Sequence, residues 1–214
     1  MVVRLSKYIL ILDYRVSNLF SISNAITSIG CDVKVSSEKK DLKNASAIIL
    51  PGVGSFPKAM GNIIDLNLDE EIKKFAKSGK QVFGICLGMQ LLFDKSYEFG
   101  ETDGLALISG DILPLASLKS DICSPHIGWN SVISVDQNIS KKNEDFYKNP
   151  YYFVHSFYAE PKDKEDIFSN TNYDGISFCS SIRKDNIFAT QFHPEKSGKF
   201  GINILRKYFA AFIN

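Results

Sequence analysis

The segment QVFGICLGMQLLF, residues 81–93, decides how the rest of the sequence is interpreted. An apolar run typical of a buried strand leads directly into Cys86, and a run with helical character follows it. Residues 84–88 form a GxCxG pattern, in which small residues flank a nucleophile on a strained strand-to-helix turn. The N-terminus of the helix would stabilise a thiolate and offer N–H groups to an oxyanion. The pattern predicts a nucleophile elbow, although a structural cysteine in a glycine-flanked turn fits it as well.

Strand-like and helix-like segments alternate around this elbow. The strand-like runs of the first half are 8–12, 32–35, 45–50 and 81–85, and the helix-like stretches are 18–29, 69–77 and 87–93. This alternation predicts βαβ units and a mostly parallel sheet. The second half is richer in strands, at 151–160, 175–182 and 186–192, and ends in a helix over about 200–212.

These elements predict an α/β fold with three layers. We expect one domain over residues 1–214, with a mixed, mostly parallel sheet, helices on both faces and an antiparallel addition late in the chain. The polar stretch 137–150 predicts an exposed loop.

Composition excludes several classes of function. The 25 Lys and Arg residues nearly balance the 24 Asp and Glu residues, so neither nucleic acid nor a membrane is an expected partner. The apolar run 8–12 is too short for a signal peptide or a membrane span. Four cysteines without a CxxC pair argue against a zinc ribbon or a disulfide framework. We expect a cytoplasmic protein in which a free thiol stays reduced.

A thiol nucleophile needs a base, and the sequence offers His126, His155 and His193. His193 follows a strand-like run, and Glu195 lies two residues on, on the same side of an extended chain. A carboxylate there would orient the imidazole and stabilise its cation. Taken alone, the stretch also fits a surface His-Pro-Glu turn. The other two histidines have no acidic residue at such spacing.

Together, GICLGMQLLF (84–93) and QFHPEKS (191–197) resemble the class I, or triad, glutamine amidotransferases. Further segments resemble the glutaminase subunit of imidazole glycerol phosphate synthase within that family: DYRVSNLFSISNAI (13–26), PGVGSFPKAM (51–60), PHIGWN (125–130) and YFVHSF (152–157). The similarity extends from about Leu12 to the C-terminus. It implies a flavodoxin-like domain in which Cys86, His193 and Glu195 hydrolyse L-glutamine to glutamate and ammonia.

The resemblance also assigns roles to other positions. It implies an oxyanion hole at Gly52, Val53, Gly54 and Leu87. It implies a glutamine pocket at Gly84, Gln90, His155, Ser156 and Phe157. It implies contacts with a partner at Arg15, Asn18, Trp129, Asn130, Tyr152 and Lys196. From the residues alone, residues 51–54 fit a simple turn, Trp129 fits a core position and His155 fits a structural histidine.

A (β/α)₈-barrel partner is implied because the family delivers ammonia to such a barrel in histidine biosynthesis. This chain has no eightfold βα repeat, so the barrel would be another chain forming a heterodimer. The resemblance implies no metal and no organic cofactor.

One departure from the family pattern concerns the usual DYGxGNL segment. Here Arg15 and Ser17 replace its two glycines. Glycine tolerates positive φ there, and arginine does so only at a cost. The change leaves open a paralogous role, in which the ammonia amidates a sugar for surface polysaccharide. A stand-alone cysteine hydrolase or peptidase and a non-catalytic binding module are further alternatives.

Overall fold

The computed structural model describes residues 7–15, 18–135, 144–147 and 149–213. The strands are β1 (Ile9–Leu12), β2 (Val33–Ser36), β3 (Ala47–Leu50), β4 (Gln81–Ile85), β5 (Lys95–Ser96), β6 (Thr102–Asp103), β7 (Gly110–Pro114), β8 (His126–Ser131), β9 (Ile133–Ser134), β10 (Pro150–His155), β11 (Phe157–Pro161), β12 (Ile167–Tyr173), β13 (Ile176–Lys184) and β14 (Ile187–Thr190). The helices are α1 (Leu19–Ser28), α2 (Lys39–Asn44), α3 (Phe56–Asp65), α4 (Asp69–Lys77), α5 (Leu87–Gln90), α6 (Glu144–Tyr147) and α7 (Gly198–Tyr208). Short 3-10 turns include Pro194–Lys196.

The main sheet joins a parallel half to a mostly antiparallel half. Its order is β2-β1-β3-β4-β14-β13-β11-β7-β5-β6, with β12 paired to β13 and to β9. The first five strands pair in parallel, and β14 then pairs antiparallel with β13. A separate two-stranded sheet pairs β8 with β10. The expected mixed sheet and its late antiparallel addition are therefore confirmed.

Helices cover both faces of the parallel half. Successive apolar side chains of its strands point to opposite faces of the sheet, so both faces need to be buried. Leu10 and Ile48 belong to a core packed under α2, α3 and α4. Ile9 and Ile49, the next residues on the same strands, belong to a second core under α1 and α7. Burying each such side chain contributes roughly 1.5–3 kcal/mol. The strands read as continuous apolar runs because both of their faces are buried.

The parallel register brings four segments to one edge of the sheet. Strands β1, β3, β4 and β14 point the same way, so their carboxyl ends share that edge. The chain leaves these strands at 13–15, 51–54, 86 and 191–195. Ligands of open α/β sheets bind outside the carboxyl ends of the strands, which is where these segments lie.

Three expected elements differ from the structure. The single strand expected at 151–160 is two strands that belong to different sheets, because the chain leaves the β8–β10 pair at Ser156. The helix expected over 87–93 ends at Gln90. The last helix begins at Gly198 and ends at Tyr208, and a 3-10 turn follows it.

The exposed loop expected at 137–150 is wrong within the described residues. Residues 144–147 form α6, whose Phe146 is buried against Tyr151 and Phe168. The polar composition of this stretch gave no sign of a short helix that is held by two aromatic side chains, Phe146 and Tyr147. Residues 136–143 and 148 lie outside the described part of the chain. Among the described helices, none is long and apolar enough to cross a membrane.

Candidate active site

The nucleophile elbow is present at Cys86. The residue follows β4 directly, precedes α5 and adopts φ 52° and ψ −109°, a conformation that costs a residue with a side chain about 1–3 kcal/mol. Its N–H donates to the Thr190 carbonyl at 2.7 Å, which ties the turn to β14. Such strain persists only where the surrounding structure holds the residue in place, and strained residues of this kind cluster at functional sites. The conformation of Cys86 therefore indicates a functional role.

Glycines allow the elbow to pack against the loop after β3. A Cβ atom on Gly88 would lie 1.8 Å from the Leu50 carbonyl oxygen, and one on Gly52 would lie 2.5 Å from the Leu87 Cβ. Neither position can accept a side chain without moving backbone. This close approach brings Val53 and Gly54 beside Leu87, as an oxyanion hole at these positions requires.

His193 and Glu195 form a buried pair after β14. Glu195 Oε1 lies 2.8 Å from His193 Nδ1, and each side chain is 2% exposed. The histidine backbone is held as well, because its N–H donates to the Tyr152 carbonyl and its carbonyl accepts from the Ser197 hydroxyl. The expected third role of a triad, a carboxylate that orients the imidazole, matches this geometry.

Opposing effects set the charge of His193. Burial alone lowers its pKa, but the charge of Cys86, a hydrogen bond to Cys86 and the contact with Glu195 together raise the pKa to about 10. By strict geometry, His193 Nε2 has no hydrogen-bond partner among the described residues. Catalytic hydrogen bonds are often misaligned before substrate binds, so this geometry is compatible with the raised pKa. The imidazole is therefore held as a cation.

A cavity of about 250 Å³ opens at the nucleophile. It lies below the size range of about 300–1,000 Å³ typical of drug-sized ligands, so it suits a small metabolite. Its walls include the nucleophile, the loop after β3 and the junction of β10 with β11: Val53, Gly54, Cys86, Leu87, Gln90, Glu98, Pro125, Val154, His155, Ser156 and Phe157.

Most positions expected around the substrate meet in this cavity. Gln90, His155, Ser156 and Phe157 line it together. Gly84 does not. It lies under the elbow, where a Cβ atom would come within 2.9 Å of Ala189 and Met89. Its role here is close packing of β4 against β14 and α5.

The sequence did not reveal two polar residues of the site. Glu98 lies on the cavity wall, and its carboxylate accepts from the Phe56 N–H at the start of α3, at 2.7 Å. Gln191 is fully buried, and its side-chain Nε2 lies 3.5 Å from Cys86 Sγ. In the sequence, the only sign of a role for Gln191 was its position beside the His-Pro-Glu stretch. No sequence feature indicated a role for Glu98.

The other two histidines form a neutral pair. Nδ1 of His155 must donate to the Phe157 carbonyl, so its Nε2 accepts from Nδ1 of His126 at 3.0 Å. Burial lowers the pKa of His155 to about 3 and that of His126 to about 4. Neither residue can serve as a charged acid near neutral pH. This agrees with the expectation that His155 is structural.

An apolar and aromatic surface adjoins the cavity on the outer face of the β8–β10 pair. Trp129 and Tyr152 lie opposite each other in register, with ring centroids 6.1 Å apart, and Ile127 lies opposite Val154. The Lys196 ammonium lies 5.9 Å above the Tyr152 ring. Trp129 is 57% exposed, so it is a surface residue and not the core residue that its type alone suggests. We call the patch of Ile127, Trp129, Tyr152, Val154 and Lys196 the aromatic face.

The remaining expected partner positions are held by local contacts. Asn18 caps α1 by accepting from the Ser21 N–H. Asn130 donates to the Asn172 carbonyl. Arg15 is exposed, with φ 67° and its N–H on the Asp13 carboxylate. It therefore occupies the conformation for which glycine is favoured, at the cost expected from the sequence. Ser17 lies outside the described residues.

Other candidates for a functional site are a metal centre and a second cavity. Within the described residues, no group of three His, Cys, Asp or Glu side chains could hold a metal ion. A cavity of about 600 Å³ lies between α7 and the start of β14, lined by residues such as Arg183, Phe188 and Tyr208. None of the triad residues lines it.

Comparisons with known proteins agree with this geometry. The profile of the family described as glutamine amidotransferase class-I matches residues 10–212. Imidazole glycerol phosphate synthase subunit HisH of Caldanaerobacter subterraneus subsp. tengcongensis is 44% identical, over 92% of this chain and 95% of the relative. The subunit of the same name from Wolinella succinogenes is 41% identical, over 92% and 97%.

Solved structures give the same fold. A chain of the PurLQS structure from Thermotoga maritima has a TM-score of 0.72 at 20% identity, covering 98% of this chain and 100% of that one. The glutaminase domain of Trypanosoma brucei CTPS has a TM-score of 0.62 at 14% identity, covering 95% and 94%.

Proposed function

The chain belongs to the class-I glutamine amidotransferase family, and from that premise we propose that it is the glutaminase subunit of an imidazole glycerol phosphate synthase. The family and the glutamine-hydrolysing activity expected from the two motifs are confirmed. The assignment to histidine biosynthesis is supported by relatives at 38–44% identity over 92% of the chain that carry this subunit's name.

The observation that carries the chemistry is the strained Cys86 in a cavity beside the buried His193–Glu195 pair. In our proposal Cys86 Sγ attacks the side-chain amide carbon of glutamine. The His193 imidazolium protonates the departing nitrogen, which leaves a γ-glutamyl thioester and ammonia. Neutral His193 then takes a proton from water, which attacks the thioester and releases glutamate and the thiolate. Such acid–base assistance contributes about 10²–10⁴-fold.

Attack on the amide carbon places negative charge on the amide oxygen, and this charge must be stabilised. We propose that the N–H groups of Leu87 and of the Val53–Gly54 segment receive that oxygen. Gly54 has φ 111°, which only glycine adopts readily, so the neighbouring peptide is free of the usual side-chain restriction. One such donor is generally worth about 10²–10³-fold in rate.

The cavity wall matches the rest of the glutamine molecule. Glu98 provides a carboxylate for the α-ammonium group, and no Lys or Arg is among the described residues that line the cavity. The α-carboxylate would then be bound by backbone and neutral polar groups near Ser156. Peptide hydrolysis is disfavoured because the cavity is small and because Leu87, not a histidine, follows the nucleophile.

We propose that the aromatic face binds a (β/α)₈-barrel synthase subunit, which receives the ammonia. Val154 belongs both to this face and to the cavity, and its carbonyl oxygen lies 3.8 Å from Cys86 Sγ. A partner seated there would cover the exit from the nucleophile. Ammonia could then pass to the barrel without entering bulk water, where it is mostly protonated. The resulting heterodimer, built on one domain of this chain, would be cytoplasmic.

Amidation of a sugar is the second candidate use of the ammonia. Arg15, which replaces a usual glycine, is the reason to consider it. The positive φ of Arg15 keeps the backbone shape that glycine would give, so only the exposed side chain differs at this position. The names of the relatives favour the histidine pathway over this alternative.

Glutamate release tests the proposal when the cognate barrel subunit and its ligand are present. We expect Cys86→Ser to reduce the rate by at least about 10⁴-fold. Cys123→Ser is the matched control, because Cys123 is exposed and does not line the cavity, and it should retain full activity. Full activity of Cys86→Ser would refute the nucleophile. Failure of a glutamine-analogue electrophile to label Cys86 would favour a non-catalytic binding module.

A further inference from the structure

Gln191 is a fully buried side chain in contact with the nucleophile, and the steps proposed above do not use it. Its carbonyl oxygen lies 3.0 Å from Gln90 Nε2, and its amide nitrogen lies 3.5 Å from Cys86 Sγ. The first distance is an ordinary hydrogen bond, and the second suits an N–H donor to the larger sulfur atom. A fully buried polar side chain is costly unless its groups are satisfied.

The direction of these hydrogen bonds is fixed from outside the pair. The Phe157 carbonyl can only accept, so the Gln90 atom 3.1 Å from it must be the nitrogen. The second N–H of that nitrogen then requires the oxygen of Gln191 as its acceptor. Gln191 is thereby left with its own N–H group directed at Cys86 Sγ.

The neutral histidine pair reinforces this orientation. His155 donates to the same Phe157 carbonyl at 2.8 Å, so both lone pairs of that oxygen are occupied. His126 in turn donates to His155. The Phe157 carbonyl oxygen therefore accepts one hydrogen bond from His155 and one from Gln90. From Gln90 the donors continue through Gln191 to the sulfur.

We infer that Gln191 is a further catalytic residue, whose amide N–H donates to the Cys86 thiolate and holds it for attack, and that Gln90 positions that amide. A hydrogen bond to an ionised acceptor is roughly twice as strong as one between neutral groups, so this donor favours the thiolate over the thiol. The inference rests on Cys86 being the nucleophile of the proposed function.

The first test replaces Gln191 by methionine, which has nearly the same length and no donor. We expect Gln191→Met to reduce kcat for glutamate release in the complex by about 10²-fold, the usual cost of one donor to a catalytic charge. Alkylation of Cys86 by iodoacetamide should slow in parallel, and KM should change less than threefold. Ser180→Ala is the matched control, because it removes a buried hydroxyl hydrogen bond to Ser169 but keeps the backbone carbonyl that accepts from the Gln191 N–H.

A second variant keeps the test decisive if Gln191→Met does not fold. In Gln191→Glu, a neutral carboxyl group can donate to sulfur and an ionised one cannot. Its activity relative to the wild-type protein should therefore fall as pH rises, whereas a merely structural defect would give a constant loss. Wild-type kcat and alkylation rate in Gln191→Met, or a constant loss in Gln191→Glu, would overturn the inference. Activity in a parallel Cys86→Ser sample would instead overturn the nucleophile assignment.

Discussion

His193 and His155 are both buried, and they lie close enough for the charge of one to affect the other, yet they differ in charge. On one side of the cavity, Cys86 and Glu195 raise the pKa of His193 to about 10, against the effect of burial. On the other side, burial outweighs the hydrogen bond to the Phe157 carbonyl and lowers the pKa of His155 to about 3. The ionisation state of a buried histidine therefore follows from the balance between its burial and the charges beside it. We call these the charged side and the neutral side of the cavity.

Replacing Glu195 by glutamine should have the largest effect on this contrast. Glu195→Gln keeps the shape of the side chain but removes the charge beside His193, so the imidazolium is less stable. We expect kcat to fall by about 10²–10⁴-fold and the alkaline limb of the pH–rate profile to move to lower pH. Initial rates of glutamate release between pH 6 and pH 10 measure both.

Asp41→Asn is a matched control for Glu195→Gln. Asp41 is also a buried carboxylate, but it pairs with Lys34 and Ser36 at β2 and α2, away from the cavity. Its replacement should affect stability and leave the pH–rate profile unchanged. A similar profile for Glu195→Gln and the wild-type protein would show that the carboxylate does not support the charged side.

The strand β10 connects the two sides of the cavity, because it carries His155 and also binds the backbone of His193. It also forms part of the aromatic face. Tyr152 contributes its ring to that face, while its backbone carbonyl accepts from the His193 N–H. We expect Tyr152→Ala to weaken binding of the barrel subunit by about 30-fold, or about 2 kcal/mol, because aromatic anchors dominate such interfaces. Titration calorimetry with the barrel subunit measures this loss.

Ile64→Ala provides the control for the aromatic face. Ile64 is 54% exposed on α3, so it matches an exposed apolar truncation outside the proposed contact. Equal affinities for Tyr152→Ala, Trp129→Ala and the wild-type subunit would place the interface elsewhere.

The neutral side predicts loss of stability in acid. His126 and His155 have folded-state pKa values near 4 and 3, below the unfolded value near 6.5, so the unfolded chain binds more protons in this window. The free energy of unfolding should fall by roughly 2 kcal/mol for each of the two histidines between pH 7 and pH 4.5. His193 has the opposite sign, because its stabilising contribution is complete below the unfolded pKa and is lost as pH rises toward 10.

Urea unfolding followed by circular dichroism tests this prediction at the two pH values. The groups facing His126 are the rings of Phe153, Tyr173 and Phe178 and the imidazole of His155, with no carboxylate among the described ring contacts. In His126→Phe, the pH-dependent part should shrink by about half, since one of two titrating groups is gone. A wild-type stability that does not change with pH would mean that the histidines are not neutral in the folded state.

The charged side could be predicted from the sequence, and the neutral side could not. Cys86, His193 and Glu195 each follow a strand end, and parallel pairing brings strand ends to one edge. Local sequence patterns were therefore enough to predict that these three residues lie together. His126 and His155 meet only because β8 and β10 leave the main sheet and pair separately, a long-range event with no local signal. The break at Ser156 and the buried Phe146 were missed for the same reason.

Backbone strain near the charged side should give the smallest of these effects. Cys86 and Arg15 both have positive φ at the carboxyl edge of the sheet, but only the strain at Cys86 serves the proposed chemistry. Arg15→Gly should therefore raise the free energy of unfolding by about 0.5–1 kcal/mol, because glycine relieves the left-handed conformation. Arg15→Ala removes the same charge while keeping the Cβ atom, so it should change stability little. Urea unfolding distinguishes the two variants, and equal stabilities would show that the loop at Arg15 relaxes freely.

Binding of the barrel subunit by both variants then separates the two effects of the substitution, the loss of the charge and the change of backbone conformation. If both variants bind differently from the wild-type chain, the long cation contributes to the contact; if only Arg15→Gly does, the loop conformation decides it.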